Sequence, residues 1–163
     1  IGVNQLEYSE SPFVGTHTGI IDSKGRINIP ADFRRSLEDC GESMLIFAPR
    51  AEFLYVFPQK VYVSYWKTDN RLKASLRRKG RFAADMAVHG NSYRKPVDSQ
   101  GRVTLPKEAF ERSSIKRDIC FVGRLDFFII RDKVIHEAYV EKDAILPGDV
   151  WDEFEKIQET TED

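Results

Sequence analysis

Two arginines, each directly following a glycine, are the residues of this chain best suited to binding a polyanion. Arg26 closes the run Asp22-Ser23-Lys24-Gly25-Arg26, and Arg102 closes Asp98-Ser99-Gln100-Gly101-Arg102. A guanidinium is a planar fork of donors that can hold two phosphate oxygens, or guanine O6 and N7, at once. Lys24 adds a point charge to the first run, and Gln100 adds an amide suited to an adenine edge. A competing reading stays open at this point. In an Asp-x-x-Gly-Arg turn the arginine can simply cap the turn or pair with the aspartate.

Both runs belong to a longer phrase. Ile21 to Pro30 recurs at Val97 to Pro106, 76 residues on in a chain of 163, with Asp, Ser, Gly, Arg and Pro identical in register. The apolar positions exchange only Ile, Val and Leu. A second echo pairs Arg50 with Arg124, Glu52 with Asp126 and Phe53 with Phe127, in the same order and at an offset of 74. The chain is a duplicated unit, so one symmetry should govern fold and function.

The elements that position the arginines follow from local chemistry. Phe13 to Ile21 alternates as a strand, and Asp22 to Gly25 is the turn of a hairpin, with Gly25 accepting the positive φ. On the returning strand Ile27 and Ile29 share one face, and Arg26 and Asn28 share the other. Pro30 ends that strand and opens a helix over Ala31 to Leu37. Strands are expected at Met44 to Phe47 and Phe53 to Phe57, around a turn at Pro49 to Glu52. The second copy repeats this order from about Met86 to Arg131, with its helix at Lys107 to Ser113. The expected class is mainly β with short helices (α+β), with Ile27, Ile29, Val103 and Leu105 buried.

Five segments result: a flexible arm over 1–12, a first repeat over 13–58, a helical basic connector over 59–85, a second repeat over 86–132, and an acidic extension with a short helix over 133–163. In the connector Val61, Tyr65, Leu72 and Leu76 can share a stripe, and residues 60–82 hold eight basic side chains against Asp69. That is either a solvated helix face or an auxiliary surface for nucleic acid or a partner. In the extension Val150, Trp151, Phe154 and Ile157 recur at helical spacing, as for a helix docking on the body or on a neighbouring subunit.

Charge is distributed unevenly. The whole chain has a formal net charge of −1, yet from Glu137 onward ten acids face only Lys142 and Lys156. Residues 1–136 therefore carry 23 basic and 16 acidic side chains, a net of +7. A basic body attracts phosphates at long range without reading sequence. The longest apolar run is far short of a membrane span, and the N-terminal stretch lacks the basic start and apolar block of a signal peptide. Cys40 and Cys120 show no CxxC spacing and read as reduced thiols, so a cytoplasmic protein is expected.

Enzymatic chemistry finds little support. His17, His89 and His136 lack the spacing of a metal cluster and read as structural; no Gly-rich phosphate loop, nucleophile elbow or HExxH is present. No catalytic residue, cofactor, metal or small-molecule substrate is expected.

Phe13-Val14-Gly15 followed by Ile21 to Arg34, with a second Asp-x-x-Gly-Arg-x-x-Leu-Pro about 75 residues on, resembles the MraZ family of bacterial transcriptional regulators, tandems of two AbrB/SpoVT-type units. The resemblance covers residues 13 to about 132 and has departures. Twelve residues precede Phe13, the region after Lys133 is long and acidic, and the second helix lacks the usual arginine. It implies a pseudo-twofold, interlocked β-barrel with swapped hairpins. It also implies a homo-oligomeric ring whose loops bind direct repeats in double-stranded promoter DNA, upstream of the division and cell-wall operon, usually as a nucleoid-associated repressor. On this chain the implied DNA contacts are Lys24, Arg26, Arg34, Gln100 and Arg102, with Asp22, Gly25, Asp98 and Gly101 forming the loops. The alternative is an AbrB-like antitoxin or protein-interaction module.

Overall fold

Prolines and glycines decide where the strands of this protein begin and stop. The computed structural model describes residues 11–68, 86–142 and 147–161, together with Ala74, Arg78 and Gly80. The first repeat supplies β1 (Thr16–Ile20), β2 (Arg26–Asn28), α1 (Ala31–Asp39), β3 (Met44–Arg50), β4 (Phe53–Pro58) and α2 (Gln59–Thr68). The second supplies a 3-10 turn at His89–Asn91, then β5 (Tyr93–Pro96), β6 (Arg102–Thr104), α3 (Lys107–Arg112), β7 (Asp118–Gly123) and β8 (Phe128–Asp132). Both repeats lie in one compact unit, Ile1–Lys133; Val134–Asp163 forms a second, made from α4 (Lys133–Lys142) and α5 (Pro147–Thr161).

Strand pairing crosses between the repeats. One antiparallel sheet runs in the order β1-β7-β8-β4-β3-β5, and β2 pairs β6 in a separate two-stranded ribbon. Exchanging each strand for its counterpart in the other repeat reproduces the same order read backwards. A pseudo-twofold axis therefore passes between β4 and β8. In the ribbon the register Arg26↔Thr104, Ile27↔Val103 and Asn28↔Arg102 is symmetric about Ile27 and Val103. Among the described residues β1 has only β7 as a partner, and β5 only β3, so the opening strand of each repeat is held by the other.

Four expectations are corrected. The Asp22–Gly25 turn forms and is closed by the Asp22 amide donating to the Arg26 carbonyl at 3.0 Å, but beyond it the arms do not continue as a hairpin: the Ile21 amide donates to the Arg117 carbonyl at 2.9 Å, carrying β1 off toward β7. The strands do not close into a barrel, because β2 and β6 are three residues long and stop short of Pro30 and Pro106, which have no N–H to extend a ladder. The first strand begins at Thr16 rather than Phe13, since Gly15 at φ +89° breaks it; Phe13 makes an isolated bridge to Leu125. The β3–β4 turn is only Ala51–Glu52, and Pro49 stays in β3 opposite Leu54, beyond the stretch that β5 pairs. The helices otherwise begin where expected, α1 running two residues longer and α3 one shorter.

Alternation on these strands creates the core. Ile27, Ile29, Val103 and Leu105 are each at most 2% exposed. Phe33 of α1 packs on Phe128 of β8, with ring centroids 4.9 Å apart, and Phe13 sits edge-on to Phe33 at 5.4 Å. Two repeats thus share one apolar cluster. His17 stands edge-on to Phe33 at 5.0 Å, while His89 rests on Trp66 at 4.4 Å, so the two histidines pack in unrelated environments.

The arm up to Glu10 and most of the connector beyond Thr68, including Leu72 and Leu76, lie outside the described residues. In the second unit, the four apolar residues of α5 are all half or more exposed, and Trp151 meets Phe154 at 5.8 Å. Among the described residues no helix is long and apolar enough to cross a membrane.

Candidate nucleic-acid interface

Each arginine loop is built by its aspartate. Asp22 Oδ1 accepts the backbone N–H groups of Lys24 and Arg26, both at 2.9 Å, and Oδ2 accepts Arg26 Nε at 2.6 Å. Asp98 repeats the pattern with Gln100 and Arg102 at 2.9 Å, and with Arg102 Nε at 3.1 Å. Backbone bonds from Gly25 N to Asp22 O (3.1 Å) and from Gly101 N to Asp98 O (3.0 Å) close the turns. The glycines adopt φ +76° and +78°, values an L side chain resists.

The two loops are also tied to each other. Leu105 N donates to Gly25 O at 3.0 Å, and Ile29 N donates to Gly101 O at 2.9 Å. A Cβ on Gly25 would lie 2.5 Å from the Leu105 carbonyl oxygen, so bare backbone is needed for this approach. The loops and the β2–β6 ribbon therefore form one rigid platform. Its outer face alternates with the buried Ile27 and Val103 and carries Arg26, Asn28, Arg102 and Thr104.

Aspartate pairing is thus real, and it orients the guanidinium. Only Nε of Arg26 and of Arg102 is engaged, and no described residue accepts from their Nη groups. The side chains remain 33% and 30% exposed. A fork held at its base, with its distal donors in solvent, is poised for a bidentate acceptor. Lys24 and Gln100 stand exposed at the tips. Arg34, on α1, approaches the second loop instead: its Nη1 lies 3.4 Å from the Gln100 carbonyl. Asn28 and Thr104 stand exposed beside the arginines on this ribbon. Their polar alternation was visible in the sequence, but the strand that brings them together was not.

The same bonds depress the aspartates. Asp22 is held at about 2, first by the Arg26 backbone N–H and then by the Arg26 guanidinium; Asp98 is lowered by the matching Arg102 groups. A carboxyl lowered in the fold contributes stability that is present above its ordinary value of 3.8 and lost as pH falls toward about 2. The first loop should therefore keep its form at pH 4 and loosen only below it, and the second should lose stability in the same direction on acidification. Carboxyl NMR titration should place the Asp22 midpoint near about 2 and that of Asp98 below 3.8. Ordinary midpoints for both would show that the loops are not clamped in solution.

Fold and loops together define a tandem-repeat β protein that presents a related pair of arginine-bearing turns from one pseudo-symmetric platform. The family model for MraZ protein, whose description adds an antitoxin-like character, matches residues 13–82 and 89–149. The chain belongs to the MraZ family, a family of transcriptional regulators and not of enzymes. It is similar to the transcriptional regulator MraZ of Salinispora tropica, at 30% identity over 148 residues, covering 90% of this chain and 95% of that protein. The Nocardia farcinica regulator is 29% identical over 128 residues, covering 78% and 86%. That of Finegoldia magna is 27% identical over 140 residues, covering 86% and 94%.

Proposed function

We propose that this protein binds double-stranded promoter DNA through the β2–β6 platform and represses transcription from it. Lys24, Arg26, Gln100 and Arg102 make the contacts, and Asp22, Gly25, Asp98 and Gly101 hold the loops. The observation that carries this reading is the pair of aspartate-anchored arginines whose Nη donors face solvent on one symmetric surface. The net charge of +7 over residues 1–136 supplies attraction to phosphate. One platform offers few contacts and should bind weakly. A homo-oligomeric ring of identical platforms engaging direct repeats, such as those upstream of a division and cell-wall operon, raises effective concentration without new contacts. Such a protein works in the cytoplasm, on the nucleoid.

Fluorescence anisotropy on duplexes carrying one, two and three direct repeats of the upstream region tests this. Affinity should rise steeply with repeat number and fall linearly on a log–log salt plot. Equal affinity for scrambled duplexes at physiological salt would overturn specific recognition. In parallel, truncation after Leu146 should alter the oligomer seen by analytical ultracentrifugation, since it removes the exposed Val150, Trp151, Phe154 and Ile157 stripe. A monomeric untruncated chain would overturn the ring. The same stripe favours a second reading, an antitoxin-like interaction module, for which a toxin-like neighbouring gene is the discriminating observation.

A further inference from the structure

The two loops are not equivalent, and the difference lies in what covers them. Above Gly101 lies the side chain of Arg34, delivered from α1 of the other repeat. A Cβ on Gly101 would overlap Arg34 Cδ and crowd Nη1 and Nε, so the arginine lies flat against the loop because residue 101 has no side chain. Its Nη1 faces the Gln100 carbonyl at 3.4 Å, a long contact, while its Nε is buried with no hydrogen-bond partner among the described residues. Among the described residues the first loop has no such cover. The position equivalent to Arg34 is Phe110, a core residue 5% exposed, and a Cβ on Gly25 would meet backbone rather than an arginine.

We propose that Arg34 is a positioning residue for the second loop, fixing the Gln100–Gly101 peptide so that Gln100 presents its amide in one direction. The asymmetry matches the chemistry of the loop tips. Lys24 acts as a point charge and works in any orientation. Gln100 reads an adenine edge only if its oxygen and nitrogen are both correctly placed. The tip that needs orientation is the one that receives the clamp. Arg34 thus decides base discrimination at the second loop without touching a base.

This inference rests on the DNA reading for its consequence but not for its geometry, and two measurements separate them. In the full chain without DNA, amide hydrogen exchange at Gln100, Gly101 and Arg102 should quicken in Arg34→Ala, while Lys24, Gly25 and Arg26 stay unchanged. Unaltered exchange at the second loop would overturn the proposal whatever the DNA result. With promoter duplexes, Arg34→Ala and Gln100→Ala should each lose about tenfold discrimination at one base pair. The double variant should be no worse than either single one, and the salt slope should stay unchanged. Multiplying losses and a slope smaller by about one would make Arg34 a phosphate ligand and overturn positioning. Arg34→Lys keeps the charge and stem but not the planar cover, and guards against misfolding of the alanine variant. It should lose discrimination while keeping thermal stability; wild-type discrimination and exchange in it would overturn the proposal. If Gln100→Ala and Arg102→Ala both bind DNA normally, the DNA reading of this loop fails, and the exchange data alone decide whether Arg34 positions it.

Discussion

Gly25→Ala should cost about 2–4 kcal/mol of stability, among the largest effects of any single methyl added to this protein. Backbone at φ +76° contributes about 1–3 kcal/mol of strain once a Cβ is present. The new methyl would also sit 2.5 Å from the Leu105 carbonyl, a backbone atom that cannot swing away. Relief requires the two loops to part, which loses the Leu105 N to Gly25 O bond, worth about 1 kcal/mol. Gly41→Ala is the control: φ is +65°, but nothing lies within 4 Å of its Cβ position. It should cost only the conformational strain, about 1–2 kcal/mol. Urea denaturation with matched m-values would compare them. Equal costs would mean that the close approach of the loops contributes nothing.

Arg26→Ala, and to a lesser degree Arg102→Ala, should weaken promoter binding by about 1–3 kcal/mol per loop with little change in Tm. Folding should tolerate the loss because each aspartate pair is partly open to solvent, where screening keeps the contribution of an ion pair small. Arg26 should matter more, since its Nε bond of 2.6 Å orients the fork more tightly than the 3.1 Å bond of Arg102. Anisotropy titrations at several salt concentrations would measure both losses, and thermal melts would check the fold. Unfolding accompanied by normal affinity per folded molecule would reduce both arginines to turn caps.

The repeated phrase made much of this site legible. Asp22, Gly25 and Arg26 specify their loop almost without help, because an aspartate that bonds amides two and four residues on, together with a glycine at positive φ, is local chemistry. The burial of Ile27, Ile29, Val103 and Leu105 was equally readable from alternation. Two open readings of the arginines, pairing with aspartate and reaching a phosphate, turned out compatible, since Nε serves the first and leaves Nη for the second.

What the sequence by itself determined was therefore everything set within a few residues: the duplication, the turns, the buried faces, and the helices opened by Pro30 and Pro106. Only the tertiary structure decided which strand meets which. Alternation tells a strand which face to bury, but every strand offers the same backbone donors and acceptors, so it cannot name its neighbour. That choice is made by the shared core, where Phe33 of one repeat packs on Phe128 of the other and β1 is drawn to β7 rather than to β2. The same long-range choice lays Arg34 across Gly101, a contact 67 residues apart in sequence that no local pattern announces.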